Sequence, residues 1–166
     1  GTPEETGTPE AIHYGELPDP TPAAEQVLVK MGAVAVNPID TYIRNGSPFW
    51  ELPQPYIVGS DIAGEVVAVG SSASQFKVGD RVWASNQGFM GRQGTFAELC
   101  SIDQRWLYPV PDSVTLENAA AAALVGLTAH LGLFREARLQ AGETVFIQGG
   151  SGGVGSTVVQ MAKAAG

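Results

Sequence analysis

The sequence predicts a mixed α/β chain. A β-rich part covers residues 1–114, and the opening of an α/β part covers 115–166. Three observations carry this reading. Short β-branched runs recur between clusters of Gly, Pro, Asn and Ser, the pattern of a compact β-rich domain. At Thr115 the chain switches to strong helix formers. Near its end, a glycine-rich bend separates a short apolar run from a helical one.

Residues 1–22 are turn-rich, with five prolines and Gly-Thr-Pro-Glu at both 1–4 and 7–10, and read as an exposed lead-in. Strands are expected at Gln26–Met31, Ile62–Val69, the end of Lys77–Ala84, Thr95–Ile102 and Trp106–Val110. A helix should start near Thr115, with Thr115 or Ser113 as its cap, and a second should run from Leu127 to Arg138. Thr144–Gln148 is nearly all apolar, the pattern of a parallel strand buried on both faces. Val154–Ala165 closes the chain as a helix. A lone strand and helix cannot bury their faces, so a longer chain or a partner is expected to complete this part.

Composition removes several functions. Nine Lys+Arg against 17 Asp+Glu leave a net charge of −8, with no basic cluster, so nucleic acid is not an expected partner. The apolar stretch Asn118–Phe134 falls short of the ~20 residues a bilayer needs, and no basic and apolar leader opens the chain, so neither a membrane span nor a secretory signal is expected. The single cysteine, Cys100, excludes an internal disulfide and fits a reducing compartment. Cys100, His13 and His130 share no ligand spacing, so no metal site is expected, and Cys100 should be buried in an alternating strand. No G-x-S-x-G elbow is present.

One motif carries chemistry. Gly150-Ser-Gly-Gly-Val-Gly155 matches G-x-G-x-x-G between a strand pattern and a helix pattern, the context a dinucleotide fingerprint requires; its second half, an acidic residue about 20 positions on, is missing, and a flexible surface loop is the alternative reading. Small residues admit a pyrophosphate, while the first N–H groups of the helix and its dipole favour the negative charge. Gly155 is expected to serve helix–strand packing.

Several segments together resemble the zinc-free quinone oxidoreductases, the zeta-crystallin type, of the medium-chain dehydrogenase/reductase superfamily. They are Val36–Gly46 (VNPIDTYIRNG), Pro55–Gly64 (PYIVGSDIAG), Phe76–Val82, Gly94–Glu98, Leu127–Ala129 and Gly149–Gly155 with Gln160 and Lys163. Where zinc-dependent relatives carry a ligand Cys, this chain has the Asn37 neighbourhood. Where they carry the His of Gly-His-Glu, it has Ser60 before Asp61. The resemblance implies a GroES-like β domain, then a Rossmann domain, with the active site in a cleft between them. It implies NADPH as hydride donor, a quinone or related conjugated carbonyl as acceptor, no metal, a cytoplasmic location and a homo-oligomer, dimer or tetramer. Asn37 and Tyr42 match positions lining the nicotinamide, Thr128 borders it, and Ser151, Gly152, Gly153 and Val154 match the pyrophosphate loop. Without a Lewis acid, hydrogen-bond donors held in a dry cleft can stabilise the developing oxyanion. Tyr42 is the candidate donor, with a packed aromatic or a plain cofactor contact as its alternative roles, and Asn37 orients nicotinamide or substrate. An NADPH-dependent alkenal or enone reductase, or a non-catalytic crystallin-like protein that binds NADPH, would fit the same resemblance.

Overall fold

The computed structural model describes residues 7–46 and 51–166; the first Gly-Thr-Pro-Glu copy lies outside them. Contacts divide the chain into two compact units, Gly1–Ala121 and Ala122–Gly166.

The first unit is built on one antiparallel sheet. β1 is Gln26–Ala35, β2 Asp61–Val69, β3 Arg81–Ala84, β4 Leu99–Asp103 and β5 Leu107–Pro109, and the order across the sheet is β4-β1-β2-β3-β5. Alternation explains the core. Val27 and Val29 of β1, Val66 and Ile62 of β2, Val82 and Ala84 of β3, and Cys100 and Ile102 of β4 point inward and pack as one cluster. A second cluster joins Ala63 and Val110 to Ala119 and Ala120 of the following helix.

β1 runs four residues beyond the expected strand because a bulge keeps it paired. The register steps from Met31↔Gly64 to Ala33↔Ala63, leaving Gly32 unpaired, and then reaches Ala35↔Asp61. Gly64 makes this possible, since a Cβ there would overlap the Lys30 carbonyl oxygen and lie 2.9 Å from Val29 Cγ1. Just past β1 comes a helix that the strand pattern did not signal, α1, Pro38–Arg44. It has Asn37 at the N-cap, proline in the first turn and Asp40 at the third position, whose side chain accepts from Asn37 N–H at 2.7 Å.

Other departures have local causes. The two helices expected after Thr115 are one: α2, Leu116–His130, runs straight through Gly126, then widens into a π-type turn over Leu131–Glu136. The Thr115 hydroxyl does cap it, accepting from Asn118 N–H at 3.2 Å. The helical run Leu116–Glu136 has 21 residues, so by length and composition alone it could cross a bilayer, contrary to the shorter stretch expected. One such helix is weak evidence for a span; 28% of its apolar window is buried, and Ala119, Ala120 and Ala123 are among the buried residues of α2.

Residues 144–147 form no regular element and Gln148 opens a turn, so the expected strand is absent here, and the segment is not buried: Phe146 is 89% exposed. A strand exists through its neighbour's hydrogen bonds. Among the described residues of the second unit there is no strand beside it, only helical segments, so the apolar pattern has nothing to pair with. The final helix, α3, is Gly153–Ala164, as its pattern predicts.

Candidate functional site

The candidate site residues fall into two groups, one in each unit. In the first, the β1–β2 register sets the geometry. Ala35 faces Asp61, so Asn37, two residues further on, meets the same carboxylate. Asn37 Nδ2 donates to Asp61 Oδ2 at 2.9 Å and, more weakly, to the Ala35 carbonyl at 3.4 Å. Asp40 accepts twice, from Asn37 N–H at 2.7 Å and from the Ser60 hydroxyl at 2.7 Å. Asn37, Asp40, Ser60 and Asp61 are all buried. Buried polar atoms are tolerated when so paired, and a broken pair is costly.

Neighbouring segments hold this cluster. The Thr95 hydroxyl donates to the Asp61 carbonyl at 2.9 Å, and Gln87 N–H donates to the Ser60 carbonyl at 3.2 Å. The Tyr56 hydroxyl donates to the Gly88 carbonyl at 2.8 Å; burial, aided by the Asp40 charge, pushes its pKa well above the usual phenol value. Cys100 Sγ lies 3.5 Å from the Thr95 carbonyl. The cysteine is buried as expected, and desolvation pushes its thiol up to about 11. An unfolded thiol ionises near 9, so the stabilising contribution of Cys100 is complete below that pH and is lost as pH rises from about 9 to about 11. The native protein should therefore resist alkylation by iodoacetamide at pH 8 and react once unfolded. Mass spectrometry checks this, and rapid native labelling would contradict it.

Tyr42 sits on α1 but faces outward, 60% exposed. Arg44, at the last turn, donates Nε to the Gly7 carbonyl at 3.0 Å and so ties down the lead-in. Asp40, Ser60 and Asp61 are the members of the cluster that sequence reasoning did not assign a role. The Asn37-Pro38-x-Asp40 spacing was the available signal for Asp40, being an N-cap, a first-turn proline and an acid at the third helical position.

The second unit holds the glycine bend. Gly149 has φ +74° and turns the chain. Gly152 N–H donates to the Gly149 carbonyl at 3.0 Å, and the first helical bond of α3 runs from Ser156 N–H to the Gly152 carbonyl at 2.8 Å. The N–H groups of Gly153, Val154 and Gly155 precede that bond and are the unsatisfied donors of a helix start. Gly152, the N-cap, supplies no side-chain oxygen, and the first turn carries no acid. Such an end suits an anion such as a pyrophosphate. The glycines differ in their reasons. A Cβ on Gly155 would overlap the Gly149 carbonyl oxygen, so this residue is glycine for packing, as expected. Gly152 has φ −77°, which any residue adopts, and its Cβ would come no nearer than 3.5 Å to the protein. The fold does not demand glycine there, so the space it leaves fits a ligand's close approach. Ser151, Gly152, Gly153 and Val154 are exposed. Gly153 lies against Val125 of α2, its Cβ position 3.2 Å from Val125 Cγ1. Thr128 is three residues further along the same helix, exposed, its hydroxyl donating to the Leu124 carbonyl at 2.8 Å.

No group of three or more His, Cys, Asp or Glu side chains among the described residues is placed to hold a metal ion. His130 is exposed at the end of α2, its ring centroid 5.2 Å from that of Phe134.

An antiparallel β unit is thus followed by a glycine bend at a helix mouth, an arrangement that suits a dinucleotide-binding oxidoreductase. Residues 23–112, which hold the whole sheet, match the alcohol dehydrogenase GroES-like domain, and the chain belongs to that family. It is 39% identical over 163 residues to the quinone oxidoreductase of Rattus norvegicus, covering 98% of this chain and 48% of that one. Two solved structures superpose closely. An alcohol dehydrogenase superfamily protein from Novosphingobium aromaticivorans has a TM-score of 0.85 at 44% identity, covering 92% of this chain and 46% of its own. The Escherichia coli quinone oxidoreductase complexed with NADPH has a TM-score of 0.85 at 32% identity, covering 97% of this chain and 48% of its own. The chain thus spans about half the length of the relatives it matches.

Proposed function

We propose that the intact protein is an NADPH-dependent oxidoreductase that reduces quinones or related conjugated carbonyls without a metal. One observation carries the reading: the uncapped start of α3, opened by a Gly152 that the fold itself does not require. The NADPH in the Escherichia coli relative supports the choice of dinucleotide. NADPH supplies a hydride when bound. Ser151, Gly152, Gly153 and Val154 hold its pyrophosphate through the free N–H groups and the helix dipole. Thr128 borders the nicotinamide with its methyl group, its hydroxyl proton being engaged by the helix. Asn37 orients the nicotinamide, held by two carboxylates. Tyr42, whose exposure leaves its hydroxyl reachable, donates a hydrogen bond to the oxygen that gains charge. The metal-free reading rests on donor chemistry. At the two positions where zinc-dependent enzymes are expected to place ligands, this chain has a carboxamide and a hydroxyl, both turned to buried carboxylates. We further propose that the enzyme is soluble, cytoplasmic and a homo-oligomer.

Oxidation of NADPH by the intact protein, followed with a panel of quinones, enones and enals, tests the activity. Preference for quinones is expected, preference for enals would move the assignment to an alkenal reductase, and no oxidation with any acceptor would overturn it. Tyr42→Phe should lower kcat about tenfold or more while leaving NADPH affinity unchanged. Unchanged turnover would remove Tyr42 from the chemistry.

A further inference from the structure

The polarity of the Asn37 carboxamide follows from its surroundings. A carboxamide has two N–H donors on one side and an acceptor oxygen on the other. Its Nδ2 meets Asp61 Oδ2 at 2.9 Å, with the Ala35 carbonyl at 3.4 Å. Both partners are acceptors. Turning the amide over would take its N–H groups away from both Asp61 Oδ2 and the Ala35 carbonyl and set its oxygen against that carbonyl, an acceptor, at a buried site where an unpaired polar group is costly. The backbone of the same residue is held as well, by Asp40 at 2.7 Å, and Asp40 is held in turn by the Ser60 hydroxyl at 2.7 Å. Asp61 itself lies at the end of a paired strand, its carbonyl taken by Thr95.

We propose that Asp61 is a positioning residue that fixes which end of the Asn37 carboxamide a ligand meets. With its N–H groups drawn toward Asp61, Asn37 keeps its carbonyl oxygen, an acceptor, on the opposite side, where it faces the Asp40 N–H of the helix start and keeps a second lone pair for a ligand. An acceptor there selects a ligand that brings N–H, and the dinucleotide carries one such group at its reacting end, the primary carboxamide of the nicotinamide ring. This rests on the reading of Asn37 as a nicotinamide contact given above. Asp61 touches no ligand; it acts through Asn37.

The test uses two probes, NADPH and its 3-acetylpyridine analogue, in which a methyl ketone replaces the carboxamide and removes the N–H donors while keeping the oxygen. Dissociation constants are measured by fluorescence titration on the intact protein. The wild type should prefer NADPH by about tenfold, the size of one good hydrogen bond. Asp61→Asn, which can meet the amide in either orientation, should reduce that preference to less than about threefold, and Asn37→Ala should abolish it. A role in stability alone would weaken both probes alike and leave the ratio at its wild-type value, and that result would overturn the proposal. So would a wild type that binds both probes equally, an outcome that needs no variant to fold and leaves NADPH binding itself intact. A wild type that binds neither probe would instead overturn the proposed function, and this assignment with it.

Discussion

Replacing Gly155 with valine should cost the intact protein at least tenfold in NADPH affinity while leaving the β-sheet unit folded. The reason is a close approach that no side chain can share. The Cβ position of Gly155 overlaps the Gly149 carbonyl oxygen and lies 2.7 Å from the Gly149 carbonyl carbon and 3.0 Å from Gly150 Cα. These are backbone atoms of the bend itself, so a side chain cannot be accommodated by a rotamer change. Either α3 moves away or the bend opens, and both displace the N–H groups of Gly153 and Val154 at the helix start. A misplacement of about 1 Å is enough to remove a large part of the binding that such an array provides. Gly152→Ala makes the informative contrast. Its Cβ meets nothing nearer than 3.5 Å within the protein, so it should leave thermal stability unchanged and still weaken NADPH binding, because it fills the space assigned to the ligand. Titration of both variants, with thermal melts alongside, separates the two cases. Unchanged affinity in Gly155→Val would mean that the bend does not hold the dinucleotide. Unchanged affinity in Gly152→Ala would mean that the open space beside it is not the ligand's.

What the sequence made legible is what depends on neighbours along the chain. β1, β2 and α3 announce themselves by local periodicity and by the glycines that bound them, and the glycine bend was readable from its glycines and the helix that follows it, although the strand expected before it is not one. The miss at α1 has a different character. Its seven residues include Ile39, Thr41 and Ile43, which are β-branched and short of any helical period, so only the Asn37-Pro38-x-Asp40 start could have revealed it. Segment 144–148 shows the opposite limit. Its apolar run is a property of the segment, but a strand is a property of a pair. The site divides along the same line. Asn37 and Tyr42 were reachable through resemblance and Gly152 through its motif. The Asn37–Asp61 bond joins residues 24 positions apart, and the register that brings them together depends on an unpaired glycine in β1. No local pattern encodes that register.

That dependence gives the largest expected effect on stability. Gly64→Ala should destabilise the intact protein by about 3 kcal/mol or more, in the range of severe overpacking, and lower Tm by roughly 10 °C. The added methyl would overlap the Lys30 carbonyl oxygen and sit 3.0 Å from the Lys30 carbonyl carbon, so the clash is with the partner strand's backbone in the centre of a sheet. β1 can escape only by separating from β2 or by giving up the bulge at Gly32. Without the bulge every pair beyond Met31 shifts by one, and Ala35 would face Ser60 in place of Asp61. Asn37 would then lose the carboxylate that orients it. The variant should accordingly lose discrimination between NADPH and its 3-acetylpyridine analogue at temperatures where it remains folded. Gly126→Ala serves as the control. It lies inside α2 with nothing within 4 Å of its Cβ position, so alanine should raise stability by about 0.5–1 kcal/mol through helix propensity. If Gly64→Ala melted within a degree of wild type, β1 and β2 could not lie as close as this register requires, and the placement of Asp61 beside Asn37 would fall with it.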